Sequence, residues 1–80
     1  MMIEYAPKGV CSKLMRIEVD EGLIKGVDIL GGCAGNLAGI SQLVADRPVE
    51  EIIARLEGIS CGFKATSCPD QLAQALKQAR

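Results

Sequence analysis

The chain contains no histidine and no tryptophan, and its aromatic residues are a single tyrosine, Tyr5, and a single phenylalanine, Phe63. Without an imidazole, and with no carboxylate pair or nucleophile beside a base in the pattern, hydrolytic catalysis has no candidate machinery. Nine basic residues are scattered among ten acidic ones for a net charge of -1, and there are few rings for base stacking, so a nucleic-acid surface is not expected. No apolar run approaches the roughly 20 residues of a membrane span. The first ten residues, MMIEYAPKGV, lack a basic stretch followed by an apolar run, so no signal peptide is expected either. The expected location is cytoplasmic. Internal repeats, low-complexity runs and linkers are also missing.

What is present is 80 residues of which 49% are hydrophobic, which reads as a single domain over residues 1–80. Its core must come from Leu, Ile, Val, Met and Ala. A chain of this size buries only roughly 60–65% of its unfolded surface. The resulting margin is about 3–5 kcal/mol, so a metal, a disulfide set or a partner chain would matter.

From Lys13 the chain alternates. Met15, Ile17 and Val19 point one way while Arg16 and Glu18 point the other, the pattern of a half-buried strand. Asp20-Glu21-Gly22 reads as a three-residue hairpin connection, and Leu23 to Leu30 as the return strand, with Leu23, Val27 and Ile29 available to the inner face. Residues 2–6 suit an edge strand that Pro7 ends. A helix is predicted from about Asn36, its N-cap, to Ala45, with Leu37, Ile40, Leu43 and Val44 on one face and Ser41 and Gln42 near the solvated side. Asp46-Arg47-Pro48 stops it. Val49, Ile52, Ile53 and Leu56 then follow helical spacing, so a second helix spans roughly Pro48 to Glu57 and ends at Gly58. The third begins at Ser67, where Ser67 and Asp70 form a capping pattern and Pro69 suits a first turn. Strands first and helices after predict an α+β sandwich: a three-stranded antiparallel sheet with three helices packed on one face.

The chemistry resides in Cys11, Cys33, Cys61 and Cys68. Cys11 lies in a turn before a strand, Cys33 between a strand end and a helix start, and Cys68 in a helix first turn, where unpaired backbone N–H groups favour an anion. Element ends tend to meet at one edge of a small sandwich, and Cys61, seven residues before Cys68, can fold back to complete a set of four. Four thiolates suit structural zinc, or an iron-sulfur cluster. The spacings of 22, 28 and 7, with no C-x-x-C pair, leave two alternatives open: four small buried hydrophobes, or two disulfides, which a reducing compartment disfavours. Gly31-Gly32-Cys33-Ala34-Gly35 matches no phosphate-loop pattern and reads as a tight turn.

Gly9-Val10-Cys11-Ser12, the segment from Gly31 to Leu37, Gly58-Ile59-Ser60-Cys61-Gly62 and above all Thr66-Ser67-Cys68-Pro69-Asp70-Gln71-Leu72-Ala73 resemble the TSCPD domain in its small stand-alone form, over nearly the whole chain. In larger proteins that domain lies at the C-terminus of adenosylcobalamin-dependent ribonucleotide reductases. The resemblance therefore implies a link to ribonucleoside-diphosphate reductase and deoxyribonucleotide synthesis, although a chain this short is not expected to carry the reductase activity alone. Nucleotide binding is implied only through that association. The element order is also distantly similar to the U-type iron-sulfur scaffold proteins, whose three cysteine ligands would fall at Cys11, Cys33 and Cys68. In that comparison the scaffold's acidic ligand falls at Lys13 and its histidine at Ser67, and Cys61 has no counterpart. The expectation is a zinc-binding accessory module that uses Cys11, Cys33, Cys61 and Cys68 beside a reductase or another protein partner. The alternatives are an iron-sulfur cluster scaffold, or a thiol redox protein in which Cys68 attacks and Cys61 resolves. A homodimer through the edge strand or the apolar helix faces stays open.

Overall fold

The computed structural model describes residues 1–10, 12–31, 34–60 and 66–79. Among these, the chain forms β1 (Met2–Tyr5), β2 (Ser12–Asp20), β3 (Leu23–Gly31), α1 (Ala34–Val44), α2 (Val49–Leu56) and α3 (Cys68–Ala79). The strands make one antiparallel sheet in the order β1-β2-β3. α1 packs on β3, while α3 packs on β1 and on α2. The result is the α+β fold that the pattern predicts.

Alternation in β2 is realised in full, with Met15, Ile17 and Val19 buried and Arg16 and Glu18 exposed. Facing them across the core are Val44 of α1, Val49, Ile52 and Ile53 of α2, and Leu72, Ala75 and Leu76 of α3. The outer face of the sheet is open to solvent, and both Met2 and Leu30 are 59% exposed there.

The hairpin corrects two expectations. Its connection has two residues rather than three, because pairing continues to Asp20 and resumes at Leu23. Both turn residues, Glu21 (φ 52°) and Gly22 (φ 77°), lie in the left-handed region, as in a type I′ turn whose twist matches the strands. In β3, Ile24 and not Leu23 takes the fully buried place. Val19 stands opposite Ile24 but Ile17 stands opposite Val27, so β3 carries one extra residue across that interval. This bulge lets two residues three positions apart both face the core. Leu23 instead pairs with Pro48.

That bridge belongs to a backbone seam between the hairpin and the α1–α2 connection. The Asp46 N–H donates to the Ile24 carbonyl (2.7 Å), the Ile24 N–H to the Arg47 carbonyl (2.9 Å) and the Val49 N–H to the Gly22 carbonyl (2.9 Å). Pro48 accordingly sits one position outside α2, extended at its N-cap (φ -61°, ψ 138°). Helix α2 otherwise follows its predicted spacing.

α1 departs more from expectation. It begins at Ala34, so Asn36 is its third residue and not its cap, and the capping position falls outside the described residues, as does the side chain of Leu37. Alanine, found here at the first helical position, has the highest helix propensity. Ile40 and Val44 meet the core as their spacing predicts, but Leu43 does not. Val44 is buried and the Ser41 hydroxyl donates to the Val27 carbonyl (3.1 Å), whereas Leu43 is 76% exposed. Leu43 lines a shallow hollow between α1 and α2 together with Val44, Ile52 and Leu56. With alanine and glycine filling much of the helix, the apolar pattern is weak, and the Ser41 bond to β3 lies on the side that faces the sheet.

The turn yields a direct test. Left-handed backbone costs a residue such as glutamate about 1–2 kcal/mol, and asparagine less. Glu21→Asn should therefore raise the unfolding free energy in urea by about 0.5–1 kcal/mol. An unchanged midpoint would refute the strain assigned to Glu21.

Candidate functional site

Residues 66–71, TSCPDQ, lead into and begin α3 and carry a dense set of side-chain hydrogen bonds. Ser67 is the N-cap, as its capping pattern predicts. Its hydroxyl oxygen accepts the Asp70 N–H (3.2 Å) and its carbonyl accepts the Gln71 N–H (2.8 Å). The reciprocal half of a capping box is not made. Asp70 turns away and accepts the Gly58 N–H just beyond α2 (2.7 Å), while its second oxygen accepts the Thr66 hydroxyl. The Ser67 hydroxyl in turn donates to the Ile59 carbonyl (2.7 Å). The helix start is thereby stitched to the chain that follows α2.

The other side of the motif is tied to β1 and the turn behind it. The Gln71 amide oxygen accepts both the Tyr5 hydroxyl (3.1 Å) and the Lys8 N–H (3.0 Å), and its nitrogen donates to the Thr66 hydroxyl oxygen (2.9 Å). A backbone N–H can only donate, so the amide must present its oxygen to Lys8. Next to Lys8, Gly9 has φ +75°, and a Cβ there would lie 3.3 Å from the Thr66 methyl group. Both the conformation and the space therefore call for glycine.

Ser67, Asp70 and Gln71 are buried, at 5%, 6% and 7% exposure, and among the described residues every buried side-chain nitrogen or oxygen has a partner. The Thr66 hydroxyl and then the Gly58 N–H hold the Asp70 carboxyl below its ordinary pKa, outweighing the upward push of burial, and Gln74 and Lys77 add to the lowering. A carboxylate favoured in this way contributes stability above its ordinary pKa, and that contribution is lost as pH falls through the lowered value.

Cys68 is the first residue of α3, half-buried and packed against the core. Cys11, Cys33 and Cys61 lie outside the described residues. With one of the four cysteines described, no group of three or more Cys, Asp or Glu gathers to hold a metal among the described residues. Their described neighbours are nonetheless joined. Ser12, beside Cys11, pairs with Gly31, two residues before Cys33. Lys8 and Gly9, just ahead of Cys11, rest on Gln71 and Thr66. Ile59, two residues before Cys61, is bonded to Ser67, beside Cys68. Each cysteine-bearing segment thus has a described flank at the same end of the molecule. Four thiols with no imidazole are a donor set that suits zinc or an iron-sulfur cluster.

The position matched to the scaffold histidine, Ser67, is fully committed as a helix cap, and Lys13 is exposed. The acids of α2 behave as a solvated face, with Glu51 near Arg47 (3.9 Å) and Arg55 (3.4 Å) in exposed pairs that contribute little. Sequence reasoning did not single out Gln71, Tyr5 or the Asp70–Gly58 bond. The partners are 63 and 66 residues apart for Gln71 and 12 apart for Asp70, and no local pattern encodes such a pairing.

The fold and the stitched helix start define a small α+β domain organised around a cysteine-bearing helix N-terminus. The profile of the TSCPD domain matches residues 1–80, the whole chain, and the protein belongs to the TSCPD domain family. No curated protein and no solved structure matches the chain. Among the described residues, no helix is long and apolar enough to cross a membrane.

Removing the Asp70 charge tests the stitching. Asp70→Asn should cost about 1.5–3 kcal/mol of unfolding free energy at neutral pH, because the variant leaves the Thr66 hydroxyl without its charged acceptor. The gap should stay flat from about pH 8 to about pH 5, where the wild-type carboxyl is ionised throughout. In a double-mutant cycle, Thr66→Val and Asp70→Asn should couple by at least about 0.5 kcal/mol. Additive losses would show that the two side chains act separately.

Proposed function

We propose that this protein is a metal-binding accessory module in which Cys11, Cys33, Cys61 and Cys68 hold one zinc ion. The observation that carries the reading is the convergence of described flanks: Ser12 with Gly31, Lys8 and Gly9 with Gln71 and Thr66, and Ile59 with Ser67. Zinc bound by four thiolates is a closed, structural site that cross-links the segments holding it. The chain's own residues supply the frame: Ser67 and Asp70 anchor the helix that bears Cys68, and Gly9 allows the turn ahead of Cys11 to approach it. A cytoplasmic setting, where thiols stay reduced, belongs to the same proposal. So does service beside a ribonucleoside-diphosphate reductase, which rests on the company that TSCPD domains keep in larger proteins.

A second reading is favoured by the placement of Cys68 at a helix start with part of its surface exposed. Cys68 then acts as a redox thiol with Cys61 as its resolving partner, or joins Cys11 and Cys33 in holding an iron-sulfur cluster.

Elemental analysis of protein purified under reducing conditions without added metal, alongside thiol titration, separates these readings. The zinc reading expects about one zinc per chain with the thiols masked. Because structural zinc contributes about 10 kcal/mol or more, exhaustive chelation should then abolish most of the cooperative thermal transition. A melting temperature unchanged by chelation, or four freely titrating thiols and no metal, would refute it. Visible absorbance after reconstitution with iron and sulfide would instead support the cluster.

A further inference from the structure

Leu43, near the end of α1, is 76% exposed, more than any other large hydrophobic side chain among the described residues. It stands at the side of a hollow of about 310 Å3 between α1 and α2, floored by Val44, Ile52 and Leu56. Val44 and Ile52 are buried and Leu56 is half-buried, so an apolar floor lies beside an apolar knob. A leucine left in water forgoes the free energy of burial, and a chain that covers it recovers that energy. Along the same hollow Arg47, Glu51 and Arg55 follow one another at i,i+4 spacing, so the charge alternates plus, minus, plus.

This alternation selects the occupant. A surface of a single sign would meet a like charge either at Glu51 or at the arginines, and like charges in contact are costly. A second copy of the chain, related by a two-fold axis, presents the same pattern in reverse, and every contact is made twice. Slid by one helical turn, that arrangement sets Glu51 of each copy against Arg47 of the other. Within one chain Glu51 is nearer to Arg55 (3.4 Å) than to Arg47 (3.9 Å), and the Arg47 side chain is 59% exposed, so Arg47 is the arginine available to a copy. A net charge of only -1 puts little general repulsion between two copies.

We propose that the α1–α2 face is a self-association surface. Two copies dock about a two-fold axis, each placing Leu43 against the apolar hollow of the other, with Glu51 and Arg47 paired reciprocally across the contact. The contact uses no cysteine and is independent of the metal reading.

Sedimentation equilibrium of the full chain reads the association directly over a dilution series, under reducing conditions so that disulfide-linked pairs do not form. The wild type should show a reversible monomer–dimer equilibrium. Leu43→Ser changes a side chain that is mostly in water within one chain, so it should keep the far-UV spectrum of the wild type and weaken dimerisation about tenfold or more. Arg47→Glu and Glu51→Arg should each be monomeric alone, because each sets like charges against one another. Mixed together, these two variants should recover dimerisation, since each supplies the charge that the face of the other has lost. A Leu43→Ser protein that dimerises as the wild type does, or a mixture no more associated than its components, would overturn the assignment of this face. A wild type that stays monomeric at every concentration would overturn self-association and leave the hollow to a different chain.

Discussion

The structure depends on how the first turn of α3 satisfies its backbone and side-chain hydrogen bonds while buried. A helix start carries N–H groups with no partner inside the helix, and away from water each needs an acceptor. Ser67 accepts one, and its hydroxyl passes the connection on to Ile59. Asp70 and Gln71, one turn in, reach outward to Gly58, Thr66, Lys8 and Tyr5. The segment that must be satisfied thereby becomes the one that binds together the chain after α2, the end of β1 and the turn before β2.

This stitching matters because the hydrophobic core is modest. Among the described residues twelve apolar side chains are buried, nearly all of them mid-sized aliphatics or alanine, and β1 contributes only four residues to the sheet. Core and network are complementary. The aliphatic face of α3, Leu72, Ala75 and Leu76, sets its distance from the sheet, while Asp70 and Gln71 set how its N-terminus is aimed. A cysteine at that terminus inherits its position from both.

How much of this could be read in the chain varied with the kind of interaction. Strong periodicity was legible: Met15, Ile17 and Val19 on β2, and Val49, Ile52 and Ile53 on α2, are buried as their spacing demands. Weak periodicity was legible only in part: in α1, Ile40 and Val44 meet the core, while Leu43 faces out and Ser41 bonds to β3. Ser67 as an N-cap is a local matter and was legible. The redirection of Asp70 to Gly58 was not, because its partner is supplied by another helix end. The bulge that turns Ile24 inward followed from pairing with Val19, a relation that a strand read alone does not contain.

By itself, then, the amino-acid order determined what each stretch is: its class, the face of a strongly patterned strand or helix, and the TSCPD character of the chain. These depend on near neighbours, and near neighbours are written next to one another. Only the tertiary structure decided which stretches meet, how α1 is turned, and that Gln71 links the turn ahead of Cys11 with the residue ahead of Ser67 and Cys68. The contacts of Gln71 with Tyr5 and Lys8 join residues more than sixty positions apart, and their geometry exists only once the sheet and the helices have packed.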